Sequence, residues 1–300
     1  MRHLLYLVNP ISGTRTKKNL QQLIISKTEK QGIPYSILPS SPSGDHRELI
    51  EQIKNNSVTD IIIAGGDGTV NQAVAGLKHL GLNFGIIPCG SGNGLAFAAG
   101  IPSSPAAALE LIFKGESLLT DAFMINDRFA CMLCGLGFDA KVAHDFSRLP
   151  KRGLRNYVKL VVRNFFSART WKFELRIREK SFETEAFFIS IANANQFGNN
   201  FRIAPKASLR DGLLDVVIVT KQNKLNVLLN VFSQVRGKKS LQADTMIEKD
   251  KALIYFQTEA LHINNIGKAP LHIDGDPADT PDKAEIRILP DCFKLICGKG

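Results

Sequence analysis

The chain has 300 residues, 44% of them apolar and 22% charged, which is enough for two cored domains. The apolar run Leu4 to Val8 stops at Asn9-Pro10, and no segment approaches the roughly 20 apolar residues that span a bilayer, so neither a transmembrane helix nor a secretion signal is expected. Five cysteines, an odd number in a long chain, argue against a disulfide framework and for a reducing cytoplasm.

All five cysteines read as buried structural residues. Cys131 and Cys134 fall in a strand-like run, where an offset of three points side chains to opposite faces and excludes a zinc pair. The net charge of +10 is concentrated: between Arg148 and Lys180 eleven basic residues face only Glu174 and Glu179. Such a window suits an anionic partner, although no recognition-helix, zinc-finger or aromatic RNA-binding motif accompanies it, which argues against nucleic acid. Arg152, Arg155, Lys159 and Arg163 are spaced to share one helical face, with Tyr157, Leu160, Val161 and Phe165 supplying an apolar side. Two readings fit: a helix lying on anionic phospholipids, or a solvated basic face over a packed apolar one.

In chain order, Leu4 to Val8 reads as a buried strand, followed by the turn Asn9 to Gly13 and a helix carrying Leu20, Leu23 and Ile24. Tyr35 to Leu38 is a second strand; after the Pro39 to Gly44 loop comes a helix with Leu49, Ile50 and Ile53. Ile61 to Ala64 is a third, emptying into Gly65-Gly66-Asp67-Gly68-Thr69-Val70-Asn71, with a helix expected from Asn71 to Leu77. Phe84 to Ile87 is a fourth, followed by Pro88-Cys89-Gly90-Ser91-Gly92-Asn93-Gly94; Ser104-Pro105 then opens a helix that Gly115 ends. Strands alternating with helices predict a largely parallel sheet whose carboxyl-end loops form a ligand crevice. After about residue 120 ten short strands follow, with helices only around Tyr157 to Phe166 and Leu225 to Val235. This predicts a β-sandwich at 121–300 behind an α/β domain at 1–120.

Glycine-rich turns at strand ends suit phosphate, because glycine lets backbone N–H groups crowd an anion and a following helix adds its unpaired N–H groups. No Gly-x4-Gly-Lys-Ser/Thr string exists, which excludes a Walker-type ATPase. Gly135-Leu136-Gly137-Phe138-Asp139-Ala140 mimics a dinucleotide fingerprint but lacks an acid about 20 residues on for the ribose.

Five motifs in order, Asn9-Pro10-Ile11-Ser12-Gly13, Gly65 to Asn71, Pro88 to Asn93, Asp211-Gly212-Leu213-Leu214-Asp215 and Asp274-Gly275-Asp276, resemble the diacylglycerol kinase catalytic family, which includes bacterial lipid kinases and sphingosine and ceramide kinases. The resemblance implies a nucleotide-binding α/β domain, a β-sandwich, an active site in the cleft between them, and ATP- and Mg²⁺-dependent phosphorylation of a lipid hydroxyl. It places ATP against Asn9, Pro10, Ile11, Ser12, Gly13, Ser40, Gly65, Gly66, Asp67, Gly68, Thr69, Val70, Asn71 and Ser91; Ser40 and Ser91 stand where relatives commonly carry threonine. It makes Asp67 the holder of the catalytic Mg²⁺, assigns a structural Mg²⁺ to Ser208, Asp211 and the Leu213 carbonyl with Asp215 in support, and makes Asp276 the base. Bacterial relatives have glutamate at that last position, and many have aspartate where this chain has Gly94, so Gly90 to Asn93 is closer to the sphingosine-kinase form. His272, on the parity of Asp274, reads as packing or support. The resemblance further implies a lipid at the inner membrane face as partner and allows a homodimer. The competing readings are an NAD kinase, which shares Gly-Gly-Asp-Gly-Thr alone, and a sensor module that kept the fold and lost the chemistry.

Overall fold

The computed structural model describes residues 2–10, 17–41, 46–114, 116–149, 154–195, 204, 206–220 and 253–298. The chain forms two compact units, one of residues 1–120 with 291–300 and one of residues 121–290.

In the first unit, β1 (Leu4–Val8), β2 (Tyr35–Pro39), β3 (Asp60–Gly65) and β4 (Asn83–Pro88) alternate with α1 (Lys17–Glu29), α2 (Arg47–Asn55) and α3 (Asp67–Leu77). Two further helices, α4 (Gly94–Ala98) and α5 (Pro105–Lys114), follow. The strands are parallel: β1 lies between β2 and β3, with Leu4 opposite Tyr35 and Asp60, and β3 pairs with β4. A parallel strand between layers is buried on both faces, which is why Ile61, Ile62 and Ile63 run without alternation and are fully buried. Leu4, Tyr6, Ile62, Ile87, Leu109 and Ile112 share one core with Ile296. The Tyr6 hydroxyl is bonded to Thr28 at 2.7 Å, and burial pushes its pKa up to about 12. Asp60, buried at the start of β3, is held by the Arg2 guanidinium at 2.9 Å.

Residues 291–300, read from sequence order with the second domain, belong to the first unit. The reason is a fifth parallel partner: the end of β15 (Lys283–Cys297) pairs with β4, Lys294 opposite Asn83 and Leu295 opposite Phe84. Phe293 meets Phe84 edge to face at 5.9 Å.

The second unit is β-rich, as its closely spaced strands predict. β5 (Glu116–Ile125) enters it and turns into β6 (Arg128–Ala130). Then come β7 (Leu133–Gly137), β8 (Trp171–Ile177), β9 (Lys180–Ala192), β10 (Leu214–Thr220), β11 (Leu253–Thr258), β12 (Ala260–Asn264), β13 (Leu271–Ile273) and β14 (Asp276–Ala278). β9 is the shared strand. Its first half pairs antiparallel with β8, and its second half lies between β7 and β10. From there one run continues through β13 and β14, and another through β12 to the start of β15. Inward residues of both runs, among them Phe123, Phe173, Ile189, Val216, Leu261 and Ile286, meet in one core.

Among the described residues of this unit stand two helices, α6 (Phe138–Ser147) and α7 (Leu154–Phe166). The second agrees with the sequence; the first was not expected. Gly137 has φ +111°, and an added Cβ would lie 2.5 Å from the Phe187 carbonyl oxygen, so the glycine serves a sharp strand-to-helix corner rather than a pyrophosphate. The helix expected at Leu225 to Val235 lies outside the described residues.

Candidate active site

Parallel pairing brings the loops after β1, β2, β3 and β4 to one edge of the first unit's sheet. Asn9 follows β1, and its Nδ2 donates to Thr69 Oγ1 at 2.7 Å; Ser40 follows β2, and its N–H donates to the Val8 carbonyl at 3.0 Å. Ile11, Ser12 and Gly13 lie outside the described residues, and Pro10 is exposed.

The glycine turn after β3 differs from expectation. The helix starts at Asp67, not at Asn71, so Asp67, Gly68 and Thr69 are its first turn. Gly66 is its N-cap, extended at φ −98°, ψ −177°, and makes no side-chain cap bond. Glycine caps without a side chain to cover the first-turn N–H groups, and an acid in that turn faces the positive end of the helix. The start of α3 is thus shaped to receive an anion, with Asp67 half-buried beside it.

The β4 loop closes against it. A Cβ on Gly90 would stand 2.6 Å from the Gly66 Cα, so the two turns touch backbone to backbone. Asn93, in the left-handed region at φ 54°, accepts the Gly90 N–H at 2.8 Å and donates to the Gly90 carbonyl at 2.9 Å, which sets the turn around exposed Ser91. One residue into α4, the Leu95 N–H reaches Asp67 Oδ1 at 3.4 Å. Asn9, Gly66, Asp67, Thr69 and Gly90 therefore form one cluster. Cys89 follows β4 and is half-buried, as is Cys292; the other three cysteines are buried, and none forms a disulfide.

In the second unit the Asp274-Gly275 pair makes a tight turn between β13 and β14, with φ +48° and +86°. Asp274 is buried, and its carboxylate accepts the N–H groups of Cys131, Met132 and Leu133 at 2.9, 2.9 and 3.0 Å. Asp276 begins β14 and is exposed. Burial, with Asp274 and Asp139 nearby, pushes the Cys134 thiol well up from its ordinary value.

The predicted structural-metal residues gather around Asp211. Its Oδ1 accepts the Leu213 N–H at 3.1 Å, Ser208 Oγ accepts the Arg210 N–H at 3.3 Å, and Asp121 accepts the Gly212 N–H at 2.8 Å. Asp215, fully buried, takes the Tyr255 hydroxyl and Gln257 Nε2. Burial raises both Asp211 and Asp215, and Asp121 adds to the shift of Asp211. Among the described residues no three His, Cys, Asp or Glu side chains converge as a metal-binding group.

The diacylglycerol kinase catalytic domain matches residues 3–125, and the YegS C-terminal NAD kinase beta sandwich-like domain matches residues 133–297. The chain belongs to the diacylglycerol kinase/YegS lipid kinase family. A diacylglycerol kinase of Bacillus subtilis is 27% identical to it, over 92% of this chain and 90% of that one. A probable lipid kinase YegS-like protein of Shewanella frigidimarina is 25% identical, over 99% and 94%. The crystal structure of a putative diacylglycerol kinase from Bacillus anthracis superposes with a TM-score of 0.80 at 23% identity, over 99% of this chain and 97% of that one, which establishes the shared fold.

Within this lipid kinase family member, the first-unit cluster fits a phosphate by its backbone donors and touching glycines. The Asp211 region offers one carboxylate, a hydroxyl and a carbonyl, a hard-oxygen set that suits a Mg²⁺ ion keeping several waters. In β8 Lys172 lies opposite Glu185, and Arg176 lies opposite Ser181 and His262, so acids and neutral residues interleave with the cations. In α7 the apolar side is used by the protein: Phe165 meets Phe138 of α6 edge to face at 6.2 Å, and Asn164 donates to Asp145 at 2.9 Å. Lys159 and Arg163 remain exposed, while Arg152 and the side chain of Arg155 lie outside the described residues. Asn93 and Asp121 were not picked out from sequence as site residues; the Gly-Asn pairing hints at the first, and nothing local marks the second.

Proposed function

We propose that this family member is an ATP- and Mg²⁺-dependent lipid kinase that transfers the γ-phosphoryl group to a lipid hydroxyl. The observation that carries the reading is the cluster at the carboxyl edge of the first unit's sheet, where Gly66 caps α3 without a side chain and Gly90 abuts it. Phosphoryl transfer asks a protein mainly for positioning and charge neutralisation, and this cluster supplies both. The first turn of α3 and the Gly90 loop hold the phosphates by N–H groups. Thr69, held by Asn9, and Ser40 and Ser91 offer hydroxyls. Asp67 would hold Mg²⁺, which when bound neutralises phosphate charge. Ser208, Asp211 and Leu213, with Asp215 in support, would hold the structural Mg²⁺. Asp276 is exposed, as a general base must be if it is to meet the acceptor hydroxyl directly or through one water. The names of relatives favour diacylglycerol as acceptor; the Gly90 to Asn93 form keeps a sphingoid base or related lipid in play.

No helix among the described residues is long and apolar enough to cross a membrane. The reading therefore has the chain meet its substrate at the cytoplasmic membrane face through the exposed cations of α7, Lys159 and Arg163, with anionic phospholipid. Radiolabelled ATP and Mg²⁺ with a panel of diacylglycerol, sphingosine and ceramide vesicles tests it. Transfer to one lipid, abolished by Asp67→Ala, is expected. Nucleotide binding without transfer to any lipid would replace the kinase by the sensor reading.

A further inference from the structure

Beneath the turn that carries Asp276 lies a buried polar pair. His272, in β13, is 1% exposed, and its Nε2 stands 3.3 Å from Asp139 Oδ2 in the first turn of α6. Its Nδ1 lies 3.3 Å from the Gly275 amide nitrogen. A backbone amide can only donate, so Nδ1 is the acceptor and the ring proton sits on Nε2, donated to Asp139. The other carboxylate oxygen of Asp139 takes the Ala140 N–H at 2.8 Å, and further along α6 His144 donates to the Leu271 carbonyl at 2.9 Å. Helix α6 thus bonds two successive residues of β13, Leu271 and His272.

Space for the pair is built in. A Cβ on Gly135 would lie 2.0 Å from Asp139 Oδ2 and 2.6 Å from His272 Nε2. Gly135, read in the sequence as part of a fingerprint-like string, provides clearance for two polar side chains.

Burying an imidazole against a carboxylate costs desolvation that an apolar pair would avoid. Nor is it needed to anchor the turn, because Asp274 already does so through three N–H groups. What His272 adds is a bond to Gly275, the residue directly before Asp276. Glycine is the most permissive backbone in the chain, so an unpinned Gly275 at φ +86° would let the following carboxylate swing. We propose that His272 and Asp139 are positioning residues, which pin Gly275 and thereby aim Asp276. The proposal rests on Asp276 being the base, and the short aspartate side chain leaves little slack for misplacement.

Amide replacements separate the two bonds. Asparagine at 272 sets an oxygen near the place of Nδ1 and keeps the acceptor for Gly275; glutamine sets its amide near Nε2, keeping Asp139 and losing Gly275. The full chain is assayed with radiolabelled ATP and the vesicle lipid that the wild type phosphorylates. His272→Gln should lower kcat by about 10- to 100-fold, the scale expected of an ångström-sized misplacement, with KM for ATP changed less than about twofold. His272→Asn should restore the rate to within about threefold of wild type. Asp139→Asn should lower kcat by about 3- to 10-fold, and it decides the matter if His272→Gln does not fold. Equal losses in the Asn and Gln variants, or wild-type rates in Gln or in Asp139→Asn, overturn the proposal. Asp276→Asn separates the two readings: if it is inactive while His272→Gln is normal, only the positioning role fails. If it keeps wild-type activity, or if the wild type phosphorylates no lipid, the base assignment fails and the positioning role with it.

Discussion

Asp67 and Asp274 each sit in an Asp-Gly pair beside a strand end, yet their surroundings give them opposite work. Asp67 is half-buried in the first turn of α3 and receives the Leu95 N–H at a long 3.4 Å. Asp274 is buried, and its two oxygens take three backbone N–H groups at 3.0 Å or less. In the proposed reading Asp67 serves a ligand, whereas Asp274 ties the turn after β13 to residues 131–133 at the entry to β7. An Asp-Gly string therefore announces a turn, and burial with the backbone donors around it decides whether the acid is structural or chemical.

The comparison can be broken by exchanging the expected losses. Asp274→Ala would leave three buried N–H groups unsatisfied, at roughly 1–3 kcal/mol each, and should cost about 3 kcal/mol or more in urea unfolding. Asp67→Ala should instead abolish transfer with little change in unfolding midpoint, and equal stability losses in both would erase the distinction. Gly90→Ala sharpens the account of the first unit. Its Cβ would meet the Gly66 backbone 2.6 Å away, so one turn must move. Overpacking of about 1–3 kcal/mol is expected, with weaker nucleotide binding by calorimetry. Least affected should be a double change of Lys159 and Arg163 to Gln. Both are exposed, so stability should shift by no more than about 0.5 kcal/mol, while sedimentation with anionic vesicles should fall; unchanged sedimentation removes α7 from the membrane contact.

Much of the first unit was legible because its strands are short apolar runs bounded by polar turns, and β1 falls at Leu4–Val8 as read. The start of α3 was misread for a local reason. Gly, Asp and Thr are weak helix formers in the interior, which hid their fitness as cap and first turn. Helix α6 was hidden behind Gly135 and Gly137, whose purposes are set by Asp139, His272 and the Phe187 carbonyl, the last two distant in sequence. The structural role of Asp274 was equally illegible. It depends on N–H groups of residues 131 to 133, more than 140 positions away in the chain. Asn9, Asp67 and Thr69, which the fold brings together, stand in turn-rich stretches at strand ends, a signal that is local in the sequence. Asp121, which faces Asp211 only through folding, had none.

The pairing of β15 with β4 has a consequence for how the protein is made. Until residues 291–297 leave the ribosome, β4 presents one unpaired edge, and bare edges invite pairing with other chains. At about 5–20 residues per second, the roughly 200 residues between them take some 10 to 40 s to synthesise. Through that interval the glycine-rich loops can already be in place while the sheet beneath them stands open on one side.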